Sequence, residues 1–326
     1  MKRILATAAA AIAAAAIGFA APALAQQQLK VALVLPGPIS DGTFNTAAYQ
    51  GLKAAEKKYN LKISVQENVT FAQSESALLQ SAREGNDVVI GHGFQFGEPA
   101  TKIHKRFPKT WFIINTTKVA AAPNLASFDN RWGDAGYVAG AIAASITKTG
   151  TVGHIGGIPV PVIQEYNEGF DRGAKRFKPD IKVLSAYVGS FSDIAKGKEI
   201  TLSLIERGAD VVTATGNESV VGTIQAAKEK GVMAIGTAFD SASFAPDTIV
   251  TTAIIRFDLN IDMAIGLVVS KKLEPKNYLL GFKEDGVALA PYRNFESKLS
   301  DENKAKIKQL VEDIKAGKVD DLPKIR

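Results

Sequence analysis

Apolar positions along this chain follow two alternating rhythms. Residues 30–35 (KVALVL) form a short unbroken apolar run, as in a parallel strand buried on both faces. The next segment changes period. Phe44, Ala47, Ala48, Gly51, Leu52 and Ala55 recur at helical spacing and mark one stripe of a helix facing a sheet. Further strands are predicted at 62–66, 87–91 and 111–115, with helical segments between them. A second series places strands at 152–155, 182–186, 210–214 and 232–235, and helices at 162–177, 194–206 and 219–230. Alternating elements of this length build right-handed βαβ units, so the expected fold class is α/β, with parallel sheets flanked by helices.

The chain also resembles itself. Gly51, Tyr59, Ile63 and Val65 have counterparts 118 positions later in Gly169, Phe177, Ile181 and Val183. Gly85-Asn86-Asp87-Val88-Val89 matches Gly208-Ala209-Asp210-Val211-Val212 at an offset of 123. Ordered matches predict two similar Rossmann-like lobes, changing over near residues 126–130. After Asp247 a strand at 248–255, a helix at 258–271 and a strand at 279–282 need not remain in the second lobe. Several crossings make a hinge, and the strand ends of both lobes then face one cleft. Residues 300–315 read as an amphipathic surface helix capped by Ser300 or Asp301.

The first residues carry an address. Lys2 and Arg3 precede an uncharged, alanine-rich run, and Ala23 and Ala25 stand at the small-residue positions of a cleavage site. Residues 1–25 are therefore expected to be a secretory signal peptide. The run is too short and too alanine-rich for an anchor, and Pro22 breaks it. Cleavage after Ala25 leaves no Cys for lipid attachment, which predicts a free periplasmic protein. Removing Lys2 and Arg3 takes 39 basic residues to 37, against 33 acidic ones, for a net charge of +4. That is no nucleic-acid signature. The absence of Cys excludes disulfides, a thiol nucleophile and Cys-ligated metals, and three His make a His-rich metal centre unexpected. No metal or cofactor is expected, and a monomer is the default.

The chemistry gathers at the strand ends. They read Pro36–Asn45 with Asp41, Phe44 and Asn45; Gly91-His92-Gly93-Phe94; Asn115-Thr116-Thr117; Gly216-Asn217-Glu218; and Phe239-Asp240. Rings, amides and carboxylates here suit a small polar ligand with a flat ring. Each has a plainer reading. Asp41 caps the next helix as readily as it meets a ligand. Phe44 begins the apolar stripe. Asn217 suits a turn, Asp240 a loop charge, and His92 between glycines is read as a turn residue. Enzyme motifs are missing: 91–97 has one residue too many for a dinucleotide fingerprint, and neither a Walker-type loop nor a G-x-S-x-G elbow occurs.

The leader followed by KVALVLPGPISDGTFNTAAYQGL resembles the basic membrane protein family of ABC-transporter solute-binding proteins, which includes purine nucleoside receptors. Asp41-x-x-Phe44-Asn45 is the strongest match. The 87–97 segment, the 133–140 segment, Gly208-Ala209-Asp210-Val211 and Gly281-Phe282-Lys283 follow in the family's order. The resemblance implies a type I periplasmic binding protein with three hinge crossings. Residues 26–127 plus about 256–282 would form one lobe, and 128–255 plus about 283–326 the other. The expected ligand contacts are Asp41, Phe44, Asn45, Phe94, Asn115, Trp132, Asn217, Asp240 and Lys283. Phe44 would stack on a purine and Asn45 bond its edge. Asp240 would hold ribose hydroxyls, and Lys283 the ribose or a neighbouring carboxylate. Two departures stand out: Asn115 replaces the family's usual Asp, and Phe239 precedes Asp240 where a second acid is common. The ligand is thus expected to be a purine nucleoside or nucleobase, handed to an ABC permease in the inner membrane. A flavin, a sugar or another small polar ligand remains open, as do a nucleoside hydrolase and a signalling role.

Overall fold

The computed structural model describes residues 28–324. The segment read as a signal peptide lies outside the described residues.

The chain opens with β1 (Lys30–Val34), α1 (Phe44–Tyr59), β2 (Lys62–Gln66), α2 (Ser74–Arg83), β3 (Val88–His92), α3 (Gly97–Ile103), β4 (Trp111–Asn115) and β5 (Leu125–Asn130). It continues with α4 (Trp132–Ile146), β6 (Thr151–Gly156), α5 (Pro161–Phe177), β7 (Lys182–Tyr187), α6 (Ile194–Glu206), β8 (Val211–Thr215), α7 (Ser219–Lys230), β9 (Met233–Ala238) and β10 (Ile249–Ile255). It closes with α8 (Phe257–Val269), β11 (Asn277–Leu280), β12 (Val287–Leu289) and α9 (Asp301–Lys315). Ser300 caps α9, its hydroxyl accepting from the Asn303 amide at 3.2 Å.

Two six-stranded sheets result, ordered β11-β5-β4-β3-β1-β2 and β12-β10-β9-β8-β6-β7. The orders are the same once β1–β5 are matched to β6–β10 and β11 to β12. Ladders are parallel except at β12, which runs antiparallel to β10. The repeat read from sequence falls on equivalent helices, and each carries its glycine at a helix contact. A Cβ at Gly51 of α1 would lie 2.7 Å from the Asp258 Cα of α8, and one at Gly169 of α5 would lie 2.2 Å from the Gly133 carbonyl oxygen of α4. Only glycine permits that approach. Tyr137, Tyr166 and Phe170, fully buried around the α4–α5 contact, anchor the second core at roughly 1.5–3 kcal/mol each.

The chain crosses between sheets three times: from β5 to α4, from β10 to α8, and from β11 to β12. The first sheet keeps β5 through Asn130, at the end of the span 126–130 where the halves were expected to change over. All six residues of β5 are buried, and its pairing with β4 and β11 outweighs the polar end Asp129-Asn130. The crossings are tied together. The Arg131 amide donates to the Leu280 carbonyl and the Arg256 amide to the Gly286 carbonyl, both at 3.0 Å. The fully buried Asn130 side chain donates to the Gly286 carbonyl at 2.8 Å and accepts from Asn260 at 2.7 Å. One amide thus meets a group from each of the other two crossings.

Candidate functional site

A cavity of about 410 Å³ opens where the carboxyl ends of the two sheets face each other. That size suits a small organic ligand. From the first lobe it is walled by Pro36–Pro38 after β1, by Asn68–Phe71, by Gly93-Phe94-Gln95 after β3, and by Thr116 after β4. From the second come the entry to α5, Phe191 and Ser192 after β7, Thr215–Glu218 after β8, and Thr237-Ala238 at the end of β9. Phe44 and Trp132, each the first residue of its helix, complete the wall.

The Phe44 ring is backed by a built support. It stacks on His92, with centroids 3.9 Å apart, and meets Phe257 edge-on at 5.1 Å. His92 is the last residue of β3 and fully buried, so it is part of the wall's backing and not the turn residue expected. Burial drives its pKa down to about 3, and it is neutral. Its Nε2 donates to the Phe44 carbonyl at 3.2 Å, and its Nδ1 accepts from Asn115 Nδ2 at 3.1 Å. The fixed tautomer sets the ring plane on which Phe44 rests. A second line of rings crosses the cleft: Phe71 and Phe94 from one lobe at 5.4 Å, then Phe191 from the other at 6.3 Å.

Of the expected contacts, Phe44, Phe94, Trp132 and Asn217 line the cavity, and the other five do not. Asp41 is turned onto its own helix start. Its carboxylate accepts from the amides of Thr43, Asn45 and Thr46, from Asn45 Nδ2 and from the Thr46 hydroxyl, all at 2.8–3.0 Å. Asn45 is buried behind the Pro36–Pro38 loop, its amide held by that same carboxylate. Asn115 supports His92. Asp240, expected at a ribose, is paired with Arg293, whose Nη1 donates at 3.2 Å. Lys283 is exposed on the third crossing and lines a different hollow with Arg131 and Asp134. These residues turn away because nearer donors, acceptors or solvent compete for them.

Other lining residues carry the polar groups that sequence reasoning passed over. The Thr116 and Thr215 hydroxyls are buried without hydrogen-bond partners. Both directly follow or end a central strand, a position that marked them. Glu218 is the one charged side chain in the wall. Its pKa is raised, first by burial and then by the negative charge of Asp41. The lining Thr237 donates to the Tyr166 hydroxyl at 3.1 Å and is already engaged. Among the described residues no group of three or more His, Cys, Asp or Glu is placed to hold a metal ion, and no helix is long and apolar enough to cross a membrane.

The chain is similar to known proteins over nearly all of its described length. The family model of PnrA-like ABC transporter substrate-binding proteins matches residues 28–320. A purine-binding protein of Brucella abortus (strain 2308) is 31% identical, covering 87% of this chain and 82% of its own. An ABC transporter nucleoside-binding protein of Lactococcus lactis subsp. cremoris (strain MG1363) is 36% identical over 56% of this chain and 54% of its own. The solved structure of an ABC transporter solute-binding protein from Aeropyrum pernix K1 superposes with a TM-score of 0.81 at 22% identity, over 89% of this chain and 92% of that one.

Proposed function

Because the chain belongs to the PnrA-like family of ABC transporter substrate-binding proteins, we propose that it captures a purine, as nucleobase or nucleoside, in the periplasm and delivers it unchanged to an inner-membrane permease. One observation carries the ligand class: a cavity between two lobes, faced by the supported Phe44 ring and by Trp132, with unpartnered threonine hydroxyls set among them. Rings offer stacking to a flat heterocycle, and hydroxyls both donate and accept at its edge. The purine-binding and nucleoside-binding relatives point the same way. The alanine-rich leader supports the address. The three tied crossings suit a pivot, so a ligand touching both walls would shift the lobes toward closure.

The test is a thermal-shift screen of the chain from Gln26, unfolded and refolded to strip retained ligand. The panel holds purine bases, their nucleosides, riboflavin and ribose. A purine at a hundred times its dissociation constant is expected to stabilise by about 2.7 kcal/mol. Shifts with riboflavin or ribose alone would overturn the purine reading. Release of free base from a nucleoside, seen by chromatography, would overturn delivery of an unchanged ligand.

A further inference from the structure

We propose that Glu218 selects the ligand, favouring a flat molecule that turns a pair of N–H donors toward the second lobe, as the N1–H and 2-amino edge of a 2-amino-6-oxopurine does. The inference deepens the purine reading and rests on it.

The wall supplies the argument. Glu218 is the sole ionisable side chain among the lining residues, and no Lys or Arg accompanies it. Among the described residues no other side chain donates to its carboxylate, and it makes no cap bond to α7, whose start it occupies. The helix terminus nonetheless favours a negative charge there. Asp41, across the cleft, adds negative potential, but its own oxygens are occupied by backbone and neighbouring donors. Its own backbone amide donates to the carboxylate, and no other described residue does, so the cavity presents acceptor capacity to whatever enters. Burial and Asp41 both disfavour the charge of Glu218. A ligand with two adjacent donors relieves both, since each hydrogen bond to a charged group is strong and two fix the orientation. A ligand turning a carbonyl or ring nitrogen to the same place leaves a carboxylate facing a lone pair. A phosphate finds no cation in the wall.

The experiment is titration calorimetry of the chain from Gln26 and of its Glu218→Gln variant. The purine pairs are guanine against hypoxanthine and guanosine against inosine; the second member of each lacks the 2-amino group. Wild type should favour the 2-amino member by about ten- to a hundredfold, and Glu218→Gln should bring the ratio close to one at unchanged melting temperature. Equal affinities in wild type, or a ratio that survives in Glu218→Gln, would overturn the proposal. A second pair, benzamidine against benzamide, separates the two readings. If no purine binds yet benzamidine is preferred and the preference vanishes in Glu218→Gln, the purine reading falls and the role of Glu218 stands. If no purine binds and benzamidine shows no Glu218-dependent preference, both fall.

Discussion

Two carboxylates lie on opposite sides of the cleft, Glu218 in its wall and Asp41 behind it, and have opposite surroundings. Asp41, in the first lobe, accepts from three backbone amides, a side-chain amide and a hydroxyl. Glu218, in the second, meets no donor from another described residue. A ligand reaching for Asp41 would have to displace donors that hold the start of α1, whereas one reaching for Glu218 meets a carboxylate that no other described residue bonds. The first lobe thus supplies a pre-set platform: Asp41 shapes the loop, and Asn115 and His92 set the Phe44 ring. The second lobe offers unengaged polar groups, Thr215 and Glu218. What a residue can recognise is decided by what its neighbours leave unsatisfied.

A third carboxylate tests that rule most severely. Asp129 is the penultimate residue of β5, beside the first crossing, and is 3% exposed, with the Asn130 amide donating to it at 2.8 Å. Burial raises its pKa to about 7, and the Glu165 charge adds to the rise. A folded pKa raised above the ordinary carboxylate value means the folded state holds its proton longer. Stability from this group is present at low pH and is lost as pH climbs from about 4 to about 7. Asp129→Asn should therefore raise the melting temperature at pH 8, by on the order of 3–4 kcal/mol of stability, and leave it unchanged at pH 4. The same gain at both pH values would show that titration is not the cause. The next effect is smaller. Asp41→Ala should lower stability by about 1–2 kcal/mol, the scale of a lost helix cap, while Glu218→Gln should lower it not at all; calorimetric unfolding of both variants decides this. Equal losses would erase the difference between the two walls. The smallest effect is expected at Asp240, already paired with Arg293. Asp240→Ala should change affinity for base and nucleoside alike by less than about twofold, within the range of exposed ion pairs. A selective loss of nucleoside binding would return Asp240 to the site.

The elements themselves were readable in the chain. The apolar run after Lys30 became β1, and the stripe through Ala48, Gly51, Leu52 and Ala55 became the buried face of α1. The Gly51–Gly169 match anticipated two lobes built alike. Strand β5 was not among the predicted strands, and its burial comes from strands β4 and β11, the latter about 150 residues away. The antiparallel β12 gave no clear signal in three residues.

Sequence by itself determined the α/β rhythm, the duplication, and which loops end at the cleft, because periodicity and glycine spacing are local properties. Only the tertiary structure decided which polar side chains remain available there. Asp41 and Glu218 are equally good acceptors as residue types. One is enclosed by five donors, and the other lines the cavity with no donor from another described residue. That distinction depends on backbone groups brought together by the turn after β1 and on a partner lobe folded from the far half of the chain, neither of which any short stretch encodes.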